Sequence, residues 1–178
     1  MAHIALPEDL PGITGPLAAY PRTAQHLSGL AQELLRGEST LTPGERELIA
    51  AYVSAENDCF FCESSHSAAA RHLLGENGDV VEQVKLGLEE APVSDKMKAL
   101  LTIAGKVQRG GRNVTDEDVA RARAEGATDD EIHTTVLIAA AFCMYNRYVD
   151  GLATWTPQDP ALYDQQGRQL AAEGYLRS

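Results

Sequence analysis

Three cysteines among 178 residues are too few, and odd in number, for the disulfide framework of a small secreted domain. Basic charge is scarce as well. Lys and Arg total 15 against 26 Asp and Glu, a formal net charge of −11, and no basic cluster occurs along the chain. Phosphate-driven binding of nucleic acid and attraction to an anionic membrane surface are therefore not expected. Long apolar runs are missing too. The longest, VLIAAAFCMY at 136–145, falls well short of the roughly 20 residues needed to cross a hydrocarbon layer and reads as a buried core helix. The opening MAHIALPEDLPG has no basic start, apolar middle or small-residue cleavage site, so a cytoplasmic location is expected. Sustained period-two alternation of polar and apolar residues is absent, which argues against half-buried strands.

A hydrophobic content of 44% is enough to build one core, and the chain reads as a single all-α domain over 20–178 behind an N-terminal arm at 1–19. Pro7, Pro11 and Pro16 with Gly12 and Gly15 predict that the arm is extended and lies on the domain or a neighbouring subunit. Pro21 opens a helix that carries Leu27, Leu30, Leu34 and Leu35 at helical spacing before Gly37. Thr42 as cap and Pro43 as first helical residue start a second, which runs to about Glu56. A third spans about Cys59 to Leu74. Others are predicted over roughly 79–89, from the Ser94 cap to Gly110, after the Thr115 cap, over Thr128 to about Leu152, and within DPALYDQQGRQLAAEGY. The boxes Thr42/Glu45 and Thr128/Glu131 are 86 residues apart; capped helix starts explain both without an internal repeat.

The stretch AENDCFFCESSHSAAARHL at 55–73 carries the chemistry. At about 100° per residue, Cys59, Cys62 and His66 lie within an arc of roughly 60° on one helix face, which Ala69, Ala70 and Leu73 continue. The preceding helix folds back antiparallel across a tight turn near 56–58. Glu47 lies about as far before that turn as His66 lies after it, so the two are expected to meet. Cys62 falls in the first turn, where unpaired N–H groups and the helix dipole favour a thiolate. His66 is placed to take the thiol proton, and Glu47 to fix the imidazole tautomer. Asp58 and Glu63 flank the pair and are expected to point to solvent. A Cys62 thiolate can attack the O–O bond of a hydroperoxide, leaving a sulfenic acid that Cys59, with a Cβ only about 5–6 Å away, converts to a disulfide. Resetting the pair then needs an external dithiol.

Other readings compete. Cys59, Cys62 and His66 supply three of the four ligands of a structural zinc site, which only Cys143 or a distant histidine would complete. Covalent haem attachment needs histidine directly after the second cysteine, where this chain has Glu63. A thioredoxin-type pair would follow a strand. Two simply buried thiols are the plainest alternative. Cys143, within the apolar run, reads as an inert core thiol, His133 as a solvated or capping residue, and His72 as without chemistry. Tyr145, Asn146 and Arg147 read as a buried polar network, with the lining of a pocket or a subunit contact as the alternative. No cofactor or metal is expected.

LTPGERELIAAYVSAENDCFFCESSHSAAARHL, with a glutamate, eleven residues, then Cys-x-x-Cys-x-x-x-His, resembles the core of the AhpD-like alkylhydroperoxidases of the carboxymuconolactone decarboxylase superfamily. NRYVDGLAT and the proline-rich arm resemble the peroxidase-related branch. The resemblance implies an all-helical fold in homotrimers, or hexamers built from them. It also implies thiol-dependent reduction of hydroperoxides, or of a peroxiredoxin disulfide, with a dithiol or thioredoxin-type protein as reductant. Carried over by motif, it makes Cys62 the sulfenic acid, Cys59 the proton donor and the sulfur exposed to the reductant, and His66 with Glu47 the relay. Phe61 stands where the AhpD pattern has a second histidine, and that group's part in proton handling is absent. Decarboxylase members typically lack the cysteine pair. A reading of another class is a redox-responsive interaction protein whose Cys59–Cys62 bond forms reversibly without efficient turnover.

Overall fold

Three helix starts in this chain are set by reciprocal caps. The Thr42 side chain accepts the Glu45 N–H, and the Glu45 carboxylate accepts the Thr42 N–H; Thr115 with Asp118 and Thr128 with Glu131 repeat the device. In the computed structural model, which describes residues 2–176, nine α-helices and no strands form among the described residues. They are α1 (Thr14–Ala19), α2 (Pro21–Arg36), α3 (Pro43–Glu56), α4 (Phe60–Leu74), α5 (Val80–Leu86), α6 (Asp95–Arg109), α7 (Asp116–Ala124), α8 (Asp129–Gly151) and α9 (Pro160–Glu173). None of them is long and apolar enough to cross a membrane.

Two boundaries depart from expectation. The extended run predicted for 1–19 stops short of α1, whose Pro16 sits in the first turn, where a missing N–H costs nothing. The helix predicted over 79–89 ends at Leu86, because Gly87 is extended.

Small residues dictate how the site-bearing helices pack. Ala50 and Ala51 of α3 and Ala68, Ala69 and Ala70 of α4 are fully buried, so the α3–α4 hairpin closes tightly. Helix α9 crosses α4 at Gly167: a Cβ there would lie 2.5 Å from that of Ala68. Leu100, Leu101 and Ile103 of α6 and Ile138 and Phe142 of α8 complete the main core. A smaller cluster holds Cys59, Phe61, Cys62, Ala68, Val149 and Tyr163, with Ile13 packed on it.

The α3–α4 turn is fixed from outside. Asp58 takes a left-handed φ of 55°, which Asp tolerates, and the Cys59 N–H donates to the Ser54 carbonyl (3.1 Å). Asn57 Nδ2 donates to Asn146 Oδ1 (2.8 Å), Asn146 Nδ2 to Ser54 Oγ (3.1 Å), and Gln108 Nε2 to Asn57 Oδ1 (3.0 Å). This chain of amides ties the turn to α6 and α8. Asn146 thus belongs to a satisfied polar network, whereas Arg147 is exposed.

Candidate active site

Cys59 is the N-cap of α4 and Cys62 lies three residues on, in the first turn. The neighbouring Cys62 side chain first, and burial second, push the Cys59 thiol far above the ordinary thiol range. Cys59 is therefore a resident thiol, and its proton is directed at Cys62 or at the Asn146 carbonyl oxygen, 4.0 Å from Cys59 Sγ. Both cysteines are free.

His66, one turn beyond Cys62, meets Glu47 as the hairpin register requires: Nδ1 lies 2.7 Å from Glu47 Oε2. The Glu47 side chain is completely buried. Burial alone would raise its pKa. The charge and hydrogen bond of His66, the Arg36 charge and the Tyr175 hydrogen bond outweigh that effect and hold the carboxyl below the ordinary glutamate range. An ionised Glu47 accepts, so Nδ1 carries a proton, and whenever the imidazole is uncharged its lone pair is on Nε2. Nε2 has no hydrogen-bond partner among the described residues.

Cys62 and His66 line one cavity of about 90 Å³. Its remaining wall is largely apolar, built from Leu17 of α1, Leu27 of α2, Phe142 and Tyr145 of α8 and Leu170 of α9. Tyr145 donates its hydroxyl to the Leu27 carbonyl (2.9 Å), so it offers the cavity a ring rather than a free polar group. Phe61 packs edge-on against Tyr163 and abuts Gly12, where a Cβ would fall 2.2 Å from the ring. Gly12 also has φ of +53°. Tyr163 is itself pushed up to about 12, by burial first and then by the neighbouring Cys62 and Cys59.

Several expectations need correction. Cys59 was expected to be the sulfur open to a reductant, but it is 1% exposed and Cys62 3%, because α8, α9 and the segment around Ile13 enclose them. Asp58 does face solvent, whereas Glu63 is ion-paired with Lys85 at 2.5 Å, which offsets its charge beside Cys62. Cys143 is half-buried rather than a core thiol, with its sulfur 3.6 Å from Asn57 Nδ2. His133 is exposed, and His72 bonds Asp164 at 2.9 Å. No group of three or more His, Cys, Asp and Glu side chains among the described residues is placed to hold a metal ion.

Two site residues escaped the sequence reading. Arg36 Nη2 lies 2.7 Å from Glu47 Oε1, and the Tyr175 hydroxyl donates to the same oxygen at 2.5 Å. A sequence signal existed for the first alone: a carboxylate on a small-residue face of α3 needs a buried counter-charge, and Arg36 ends the preceding helix.

Fold and site together define an all-helical thiol protein with a Cys-x-x-Cys pair at a helix start and a buried carboxylate–imidazole pair beside it. Residues 21–86 match the model of the carboxymuconolactone decarboxylase family. An uncharacterized peroxidase-related protein from Ralstonia eutropha JMP134, with an alkylhydroperoxidase AhpD core, is 28% identical with a TM-score of 0.78, over 89% of this chain and 81% of that one. An uncharacterized peroxidase-related protein from Silicibacter sp. TM1040 is 29% identical with a TM-score of 0.75, over 86% and 80%. A protein of unknown function from Agrobacterium tumefaciens, named for AhpD antioxidant defence, shares the fold at 22% identity and a TM-score of 0.68, over 81% and 97%. No curated protein matches the chain. The segment 21–86 thus carries the carboxymuconolactone decarboxylase family pattern, and the chain is similar in fold to AhpD-like, peroxidase-related proteins over most of its length.

Proposed function

We propose that the protein is a thiol peroxidase that reduces hydroperoxides through Cys62 and Cys59. The observation that carries this reading is the 2.7 Å contact of His66 Nδ1 with a buried, ionised Glu47, on an imidazole that shares a cavity with Cys62. His66 Nε2 accepts the Cys62 proton, and the resulting thiolate attacks the terminal oxygen of the peroxide. The S–O bond forms as O–O breaks, and the alkoxide leaves as an alcohol with the proton returned by His66. The Cys59 sulfur then displaces hydroxide from the Cys62 sulfenic acid; the S–S bond forms, and the Cys59 proton goes out with the hydroxide as water. An external dithiol restores both thiols and leaves as a disulfide. AhpD-like, peroxidase-related neighbours at 28% and 29% identity agree with this chemistry.

Steady-state consumption of a hydroperoxide with a dithiol reductant tests it. Cys62→Ser is expected to abolish turnover, and undiminished turnover in that variant would end the reading. The reductant extends the proposal: a thioredoxin-type or peroxiredoxin partner, or a small dithiol. We also propose a homo-oligomer, trimer or hexamer, for which the exposed Leu137 and Met144, seven residues apart on α8, offer an apolar face. A light-scattering mass equal to one chain would contradict that.

One observation favours a second reading. Both sulfurs are almost wholly covered, which suits a redox-responsive protein whose disulfide forms once and is reset slowly. That reading predicts oxidation by a single equivalent without turnover, and thiol counting beside the steady-state assay separates the two.

A further inference from the structure

Three donors converge on the two oxygens of Glu47, and two of them lie outside the Cys–His motif. Arg36, the last residue of α2, places Nη2 2.7 Å from Oε1 and anchors its guanidinium on the carbonyls of Leu35 (2.8 Å) and Leu170 (3.0 Å). Tyr175 arrives on the segment that follows α9. Gly174, with φ of 74°, turns the chain back after α9, and Gln32 Oε1 accepts the Tyr175 N–H at 2.7 Å. From there the phenol hydroxyl reaches Oε1 at 2.5 Å and lies 3.2 Å from His66 Nδ1. The Tyr175 ring runs parallel to the imidazole, 13° between planes with centroids 6.0 Å apart, and Phe142 packs edge-on at 4.5 Å. The guanidinium sits over the Tyr175 ring, 5.2 Å from its centroid.

We infer that Arg36 and Tyr175 are positioning residues for His66: by occupying Glu47 Oε1 they commit Oε2 to the Nδ1–H, so that Nε2 presents its lone pair to the cavity holding Cys62. Without them the carboxylate has two free acceptor sites and no fixed plane, and the imidazole can flip or exchange tautomer. Burial and the nearby carboxylate push Tyr175 well above the ordinary phenol range, so it stays a donor throughout the working pH range. A guanidinium offers donors only and cannot compete with Nδ1–H as an acceptor. The arrangement is the principle by which a histidine is oriented through the hydrogen bond on its far nitrogen.

This inference rests on the peroxidase reading for its consequence and on the geometry alone for its content, so the test has two arms. Tyr175→Phe keeps the ring and removes only the hydroxyl. With histidine-selective ¹⁵N labelling, and His66→Gln to assign the signal, wild type should show a protonated Nδ1 and an unprotonated Nε2 at His66. Tyr175→Phe should show a tautomer mixture. In the kinetic arm, Tyr175→Phe should lower kcat for the hydroperoxide by about tenfold with KM unchanged, a fraction of the roughly 10²–10⁴-fold that a positioned base contributes. Arg36→Lys should recover more of kcat than Arg36→Met. An unmoved His66 signature in Tyr175→Phe overturns the inference. A shifted signature in a protein whose wild type consumes no hydroperoxide upholds the positioning and removes the peroxidase reading instead. Should Arg36→Met fail to fold, the Tyr175→Phe signature still decides.

Discussion

Replacing Glu47 by glutamine keeps the shape and removes the charge, and its cost follows from the three donors it now satisfies. The Glu47 side chain is wholly buried and that of Arg36 is 11% exposed, so the variant leaves a guanidinium in the interior without its counter-ion. Breaking a buried pair from one side costs about 3–5 kcal/mol. The lower end applies, because Arg36 keeps the Leu35 and Leu170 carbonyls as acceptors. In addition the amide NH₂ must face a donor, either the His66 Nδ1–H or the Tyr175 hydroxyl with Arg36. A loss of about 3 kcal/mol lowers the melting temperature of a chain this size by about 6–12 °C. Far-UV circular dichroism during heating and in urea measures it. A Glu47→Gln protein that melts within about 2 °C of wild type would refute the claim that this carboxylate is the buried anchor of the site. The pH dependence gives an internal check. The carboxyl lies below the ordinary range when folded, so its stabilisation is complete above the unfolded value of about 4.3 and is lost as pH falls through the lower folded value. The gap between wild type and variant should therefore close in acid and stay constant from neutrality down to about pH 5.

Other perturbations act on the scaffold around the site. Gly167→Val would drive Cβ into Ala68 and its backbone at the α4–α9 crossing and should cost about 1–3 kcal/mol, read as a lower urea midpoint; an unchanged midpoint would mean that the crossing is looser than described. Gly12→Ala must displace the Phe61 ring and strain a left-handed residue, so alkylation of Cys62 by iodoacetamide should accelerate while far-UV dichroism holds; an unchanged rate would show that this contact does not cover the thiol. Asn146→Ala leaves Ser54 Oγ without a partner and Asn57 Nδ2 with only the Cys143 sulfur at 3.6 Å, and should destabilise by about 1–3 kcal/mol in urea; a value near zero would show that the amide chain does not hold the α3–α4 turn.

What the sequence revealed of this site, and what it hid, follows from chain distance. Glu47 and His66 lie on consecutive helices joined by a three-residue turn, so helical rise and rotation alone fix their depth and face, and their contact was legible. The same arithmetic put Cys59 and Cys62 together, and the caps at Thr42, Ser94, Thr115 and Thr128 located the helix starts. Arg36 and Tyr175 reach Glu47 along paths set by tertiary packing. For Tyr175 that path spans 128 residues and depends on where α9 crosses α4, which no local periodicity encodes. The burial of Cys59 was hidden for a like reason, since its cover comes from Ile13, Val149 and Tyr163. Helix α1 was missed because its proline was weighed as a breaker without regard to its position in the first turn.

The central claim is that Cys62 is an activated thiol that hands its oxidation on to Cys59. Peptide mass mapping after one equivalent of an alkyl hydroperoxide tests it most directly. The account predicts loss of two of the three free thiols, a Cys59–Cys62 disulfide within one chain, and an intact Cys143. Three thiols still free after that treatment, or oxidation confined to Cys143, would contradict it.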